Sequence, residues 1–451
     1  MKKICMILAA VLLLAAGTAA FAGCGGNVQR DEDGNVVVTM TLMDNEYETD
    51  GWLALIDAAN GVLERDGESV RIEPELVVTS SWDEYYTKVS ANIFGRTGGT
   101  IGRIAESHVP TLIDRGQAAD LTDLRDELIA TGEYTASAFE GVAEEGGKYY
   151  GLPSGAQTMV LYYNKTLIDE YNATASDADK IEYPSGDWSN ASTFEEIRDA
   201  AKKLTSGTGA SKRFGISAGP YLSYIGMYSV NSGGYNIFDD EGNCVIDSQP
   251  CIDAYEWLRQ MLVVDGSMPL TSDTALADPL SRFVQGNIAL FIDGIWQMHY
   301  ICSYSEDYEI GVAAIPVLDS SYASSTTTFE DRFWASSTSA TPEEDKIALR
   351  ALMSKEATEA AARMQVGGIP VRSDCVDTYL SSLEETKLAD YTEVIANSIT
   401  NRISVPYSVY YNQADQMINQ RLSRWINNEI TTAELVEYAQ DVMERAMRGE
   451  L

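Results

Sequence analysis

The chain has 451 residues, 45% of them apolar and 22% charged, which is the composition of a folded protein and excludes a disordered one. Its 68 Asp and Glu stand against 32 Lys and Arg, a formal charge of −36, which argues against broad contact with nucleic acid or with an anionic membrane face. The length is too great for one ordinary core, so two domains or one very large one are expected.

Lys2 and Lys3 open the chain, and an apolar run from Ile4 to Ala22 follows, ending Phe21-Ala22-Gly23-Cys24. A positive start, a short apolar stretch and small residues at its end predict a secretory signal peptide over 1–23. The cysteine straight after Ala-Gly resembles the bacterial lipoprotein signal, although Phe21 stands where that signal prefers Leu. The resemblance implies lipidation of Cys24 and a body held on the extracellular face of the cell membrane. Cleavage would also remove Lys2 and Lys3 and leave a charge of −38. Residues 24–35 read as a flexible tether. No later stretch reaches the roughly 18 apolar residues of a spanning helix.

Val36 to Met43 is a β-rich apolar run and reads as a buried strand. Helical periodicity follows over Trp52 to Arg65, a strand over Ile72 to Val78, and a helix over Trp82 to Phe94 behind the capping sequence Ser80-Ser81. This alternation predicts an α/β fold with a largely parallel sheet. It resumes with a strand at Met159–Tyr163, a polar loop at 179–190, a helix opened by Thr193 and a strand at Phe214–Ser217. The run Asp239-Asp240-Glu241-Gly242-Asn243 lacks the spacing of a calcium loop and reads as a turn. Helices are predicted over 252–264 and 278–285, strands over 288–292 and 310–315, and two helices within 342–366. The last 60 residues read as helical.

Four cysteines belong to the body, Cys244, Cys251, Cys302 and Cys375, beside two histidines, His108 and His299. Their spacings match no zinc motif, and neither a metal nor a cofactor is expected. The spacings leave disulfide pairing open, with Cys244 and Cys251 close enough to close one loop.

Five stretches resemble, in order, those of extracellular solute-binding protein family 1, the maltose-binding-protein-like receptors of ABC importers. They are Gly147-Lys148-Tyr149-Tyr150-Gly151-Leu152-Pro153 with Tyr162-Tyr163-Asn164-Lys165; Trp188 with the helix from Phe194-Glu195-Glu196; Phe283 to Phe291 with Asp293-Gly294-Ile295-Trp296; Ile310 to Pro316; and Gly367-Gly368-Ile369-Pro370-Val371. The resemblance covers roughly residues 36–445. It departs at 98–102, where Gly-Gly-Thr-Ile-Gly replaces the family's usual Pro-Asp-Ile/Val strand.

The resemblance implies a two-lobed periplasmic-binding-protein-like fold (type II), with hinge segments and a ligand cleft between the lobes. Lobe 1 would hold 36–155 and 335–388, and lobe 2 would hold 156–334 and 389–451. It implies a carbohydrate ligand, delivery to ABC permease subunits, and a monomer. Sugars offer flat CH faces ringed by hydroxyls, so a sugar cleft needs aromatic platforms and polar groups. The count of 25 Tyr and 7 Trp against 10 Phe suits such a cleft. Trp296 matches a stacking tryptophan, and Tyr221 in Gly219-Pro220-Tyr221 a stacking aromatic, with Tyr224 beside it. Asp293 would cap its turn or bind a hydroxyl. Gln157 falls where the family has a ligand-binding carboxylate. Glu106, Ser107 and His108 fall at a contact loop of lobe 1, Trp334 near a crossing segment, and Tyr411 near a late aromatic position. Asp44, Asn45 and Glu46 follow the first strand, where ligand crevices of α/β sheets open.

A second reading keeps the receptor class but gives it a non-sugar solute, a peptide or a cation. A third is a secreted glycoside hydrolase, which needs two carboxylates across a cleft. No Gly-x-Ser-x-Gly or His-Glu-x-x-His motif appears, and no enzyme is expected.

Overall fold

The computed structural model describes residues 28–45, 48–79, 81–134, 136–270, 278–305 and 307–451. The signal segment, Cys24 and Glu46 lie outside the described residues. Residues 28–35, the described part of the anticipated tether, form a turn on the first strand. There the Asp31 carboxylate accepts the backbone and side-chain N–H of Asn35 at 2.9 and 3.0 Å, and Val37 N–H reaches Gln29 O at 2.9 Å.

The elements that place the site are β1 (Val36–Asp44), α1 (Thr49–Asp66), β2 (Val70–Val78), α2 (Trp82–Gly95), β3 (Ile101–Ala105), β4 (Leu152–Asn164), α3 (Phe194–Leu204), β5 (Phe214–Ser217), α4 (Leu222–Val230), β6 (Ile288–Gly294), β7 (Ile310–Ala313), β8 (Thr326–Ala335), α5 (Pro342–Leu352), α6 (Lys355–Arg363), α7 (Val376–Glu384), β9 (Arg402–Ser404), α8 (Val409–Ile426) and α9 (Thr432–Met447). Local chemistry sets several of their ends. Thr193 and Glu196 close a reciprocal capping box at α3, as Thr431 and Glu434 do at α9. Ser81 Oγ accepts Glu84 N–H at 3.2 Å to open α2. α1 buries Trp52, Leu55, Ile56, Ala59 and Leu63 along one stripe.

Nine strands form one sheet in the order β2-β1-β3-β8-β4-β6-β5, with β9 on β8 and β7 on β4. The sheet is mixed, which corrects the largely parallel arrangement anticipated from the alternation. β1 is parallel to β2 and β3, and β5 to β6, but β8 is antiparallel to β3 and β4, and β4 to β6. The reason is that the chain crosses the molecule along β4 and returns along β8, so the two central strands run in opposite senses.

Those two strands join two hydrophobic cores. The first gathers Met40, Trp52, Ile56, Tyr85, Ile104, Leu152, Phe333 and Trp334. The second gathers Met159 to Tyr163, Phe194, Tyr228, Trp257, Phe291 and Trp425. Tyr379, Leu383 and Leu388, from the stretch 335–388 anticipated in lobe 1, pack into the second core. β3, β8 and β9 were not anticipated as strands. β8 reads poorly because Glu330, Asp331 and Arg332 interrupt it, yet all three are buried. No helix among the described residues is long and apolar enough to cross a membrane.

Candidate functional site

A cavity of about 990 Å³ lies between the two halves, lined on one side by α2 and the turn after β3, and on the other by Tyr407 and the first turns of α8. Ser107 and His108, both anticipated as contacts, line it. Across it, the Asn412 side-chain amide donates to the Ser107 carbonyl. His108 stacks on Tyr86 with ring centroids 4.8 Å apart and planes 2° from parallel. Burial pushes the His108 pKa down to about 4 against the opposing pull of Asp83, so the ring is neutral at pH 7. Its Nε2 stands 3.5 Å from Asp83 Oδ1. On the far side, burial raises Asp415 to about 6. An Asn419 bond of 2.9 Å opposes that rise, and the charge of Asp83 adds to it.

Four further aromatic rings form a continuous run of contacts. Tyr221 precedes α4 and is 52% exposed. It meets Tyr224 edge-on at 5.6 Å, Tyr224 meets Phe329 of β8 at 6.1 Å, and Phe329 meets Trp296 at 5.5 Å. Burial raises the Tyr221 pKa, and the charges of Asp293 and Asp415 add to the rise. Two glycines allow the close approach: a Cβ at Gly294 would lie 2.0 Å from the Trp296 ring, and one at Gly219 would lie 2.6 Å from that of Tyr224. Asp293 caps its own turn, accepting Gly294 N–H at 2.7 Å and the Gln297 amide at 3.4 Å. Burial lifts its pKa to about 6.

Beneath the cleft, β3, β4 and β8 share buried charges. Arg103 is 2% exposed and lies against Trp52 and Trp82, with its guanidinium carbon 4.3 and 5.0 Å from the two ring centres. It donates to Asp331 at 2.8 Å and to Glu48 at 2.9 Å. Gln157 adds an amide bond to Asp331 at 3.1 Å, so its donor is held inside this network. Next along β8, Arg332 bridges Glu330 at 2.6 Å and Glu106 at 3.2 Å and bonds the Tyr149 hydroxyl at 3.0 Å. Burial raises Glu106 to about 7, with Arg332 opposing and Glu330 adding to the rise.

The remaining anticipated residues fall elsewhere. Asp44 and Asn45 are tied into the turn before α1, where Asp44 accepts the Thr49 hydroxyl at 2.9 Å and Asn45 accepts Glu48 N–H at 2.8 Å. Trp334 and Tyr411 are each 1% exposed and pack in the two cores, which leaves neither ring a face for a ligand. Sequence reasoning missed Glu48, Asp83, Tyr86, Arg103, Phe329, Asp331, Tyr407, Asn412 and Asp415. Their signal is tertiary: Asp83 and Tyr86 on α2 meet Tyr407, Asn412 and Asp415 only in the cavity lining, and Glu48, Arg103 and Asp331 meet only in the buried ionic set. Cys244, Cys251, Cys302 and Cys375 are free thiols. Among the described residues, no group of three His, Cys, Asp or Glu is placed to hold a metal.

The cavity presents an aromatic stack, amides, hydroxyls and carboxylates, which is equipment for binding a polar solute. A family model described as bacterial extracellular solute-binding protein matches residues 66–390. An arabinooligosaccharide-binding protein of Halalkalibacterium halodurans is 28% identical over 155 residues, covering 34% of this chain and 31% of that protein. The match thus spans less than a third of that relative. An ABC substrate-binding protein from Listeria monocytogenes, solved with cycloalternan, superposes with a TM-score of 0.76 at 18% identity, over 91% of this chain and 99% of the other. The GacH receptor of Streptomyces glaucescens, studied unliganded and with acarbose, does so at 0.73 and 17%, over 92% and 99%. At such identities these two establish the fold alone, the two-lobed solute-binding architecture.

Proposed function

The chain belongs to the bacterial extracellular solute-binding proteins, and from that premise we propose that it is a carbohydrate receptor of an ABC importer. The observations that carry this reading are the continuous run of aromatic contacts Tyr221-Tyr224-Phe329-Trp296 and a polar cavity lined from α2 and from α8. Such rings can cover the CH faces of a sugar while Asn412, His108 and Asp415 meet its hydroxyls. The names of the relatives, an arabinooligosaccharide-binding protein among them, support an oligosaccharide over a single sugar. In this reading the two cores are the two lobes, β4 and β8 are crossing strands of the hinge, and ligand closes the lobes.

The test is a melting-temperature screen with arabino-, malto- and manno-oligosaccharides. A ligand at 100 times its dissociation constant adds about 2.7 kcal/mol. A shift with at least one of them is the expected result. A shift with peptides or polyamines and none with saccharides would refute the reading. New reducing ends after incubation with oligosaccharides would instead indicate a hydrolase.

The same reading includes lipidation at Cys24, a monomeric body on the extracellular face, and delivery of the closed form to permease subunits. The sequence Phe21-Ala22-Gly23-Cys24 supports the anchor. Cys24→Ala should move the protein from the membrane fraction to the soluble fraction; an unchanged distribution would remove the anchor from the proposal.

A further inference from the structure

The cavity runs along α2 for about three turns, taking Asp83, Tyr86, Ser90 and Phe94 into its lining. An α-helix rises about 1.5 Å per residue, so Phe94 stands about 12 Å along the axis from Tyr86. Four rings line the cavity, and three of them are engaged by protein. Tyr86 and His108 stack on each other, and Arg115 lies over Tyr86 with its guanidinium carbon 5.7 Å from the ring centre. Tyr407 meets Tyr411 edge-on at 5.4 Å. Phe94 is 89% exposed and, among the described residues, meets no other ring. On the α8 side Gln413 and Gln416 are exposed, and among the described residues neither side-chain amide has a hydrogen-bond partner.

A phenyl ring left in water adds almost nothing to the stability of the fold. It carries no polar atom, so what it offers is a flat apolar face, and the CH face of a sugar ring is the complement of that face. Covering it is worth about a tenfold gain in affinity. The polar groups around the cavity suit the hydroxyl rim of the same sugar. Arg115 has one amine 3.4 Å from Ser90 Oγ, a turn before Phe94, and keeps further donors for hydroxyls. The Gln413 and Gln416 amides can each donate and accept. A single sugar held at Tyr86, His108 and Asn412 does not bridge the distance to Phe94, whereas a chain of sugars does.

Resting on the carbohydrate reading of this cleft, we propose that Phe94 is a stacking platform for an outer ring of an oligosaccharide laid along α2, with Arg115, Gln413 and Gln416 serving its hydroxyls. The inner end of the chain lies at the Tyr86–His108 stack and Asn412. Phe94 thereby sets the length of saccharide that the protein prefers, because a chain too short to reach it forgoes the stacking contact.

The test is calorimetric titration of the purified chain with arabino-, malto- and manno-oligosaccharides, each from disaccharide to hexasaccharide, repeated with Phe94→Ala, Phe94→Leu and Phe94→Trp. At 89% exposure the side chain can be replaced without disturbing the core. In a series that binds, affinity should rise about tenfold at the length that first reaches Phe94. That step should vanish in Phe94→Ala, stay small in Phe94→Leu, which is apolar but not flat, and persist in Phe94→Trp. The shortest ligands should bind the parent and the variants alike. An affinity that does not rise with length, or a step of the same size in Phe94→Ala, overturns the inference and leaves the carbohydrate reading standing. A step intact in Phe94→Ala beside lost uptake in cells would assign the ring to a protein partner and overturns it equally. No binding of any saccharide overturns both.

Discussion

Asn412 and Ser107 are joined across the cavity by a bond from the Asn412 side-chain amide to the Ser107 carbonyl. The two residues lie 305 positions apart in the chain and on opposite sides of the cleft. The bond therefore ties the start of α8 to the turn after β3, across the cavity. A hydrogen bond of this kind is worth about 0.5–1.5 kcal/mol. Asn412→Ala should accordingly weaken ligand binding about threefold to tenfold and expand the unliganded protein in small-angle scattering. An unchanged radius of gyration together with unchanged affinity would show that the bond does not hold the cleft.

Trp296 is half-buried, with one edge on Phe329 and a ring lodged over Gly294. Trp296→Ala should lower saccharide affinity by about 1–3 kcal/mol, the range for a large aromatic anchor. The melting temperature of the unliganded protein should move less than its affinity does. Titration and thermal unfolding of the same preparation separate the two effects.

Arg103 holds Asp331 and Glu48 inside the protein between two tryptophan rings. Removing one member of a buried ionic set leaves an uncompensated charge, at about 3–5 kcal/mol. Arg103→Met should destabilise by that order in urea unfolding. Arg103→Lys should recover little, because an ammonium cannot reproduce the planar fork that reaches both carboxylates.

Asp345 on α5 is 1% exposed and accepts the Thr100 hydroxyl at 2.7 Å. Burial lifts its pKa to about 6, with the Ser339 and Thr100 bonds opposing. A carboxyl whose folded pKa is raised binds more protons folded than unfolded. Its contribution is complete at about pH 4 and is lost as pH rises through about 6. Asp345→Asn should therefore gain about 2 kcal/mol relative to the parent on going from pH 4 to pH 7. His108 acts oppositely: its pKa is lowered to about 4, so its contribution is present above about 6.5 and lost as pH falls. Urea unfolding at both pH values, for Asp345→Asn and for His108→Gln, measures the two slopes separately.

Much of the architecture was legible in the residues. The apolar run at Val36, the stripe Trp52-Leu55-Ile56-Ala59-Leu63 and the Thr193/Glu196 box are local signals, and each yields the element it implies. The ordered motifs around Pro153, Trp296 and Ile315 led to the same receptor family that the comparison supports. β8 was illegible because a strand containing Glu330-Asp331-Arg332 looks like surface. Only its neighbours, Glu106, Arg103 and Tyr149, make burial of those charges affordable.

The aromatic side chains divide in the same way. Trp296, Tyr221 and Tyr224 could be picked out because a short motif places each ring beside a glycine or proline turn. Trp334 and Tyr411 carry equally aromatic side chains but lie inside the cores, a distinction that depends on which face of β8 and α8 is covered. The sequence by itself determined the class of protein and its acidity, because those follow from local patterns and composition. The tertiary structure alone decided that Asp83 and Asp415 line one cavity and that Gln157 is already bonded to Asp331. Opposition across a cleft is set by packing between segments far apart in the chain, and no local pattern records it.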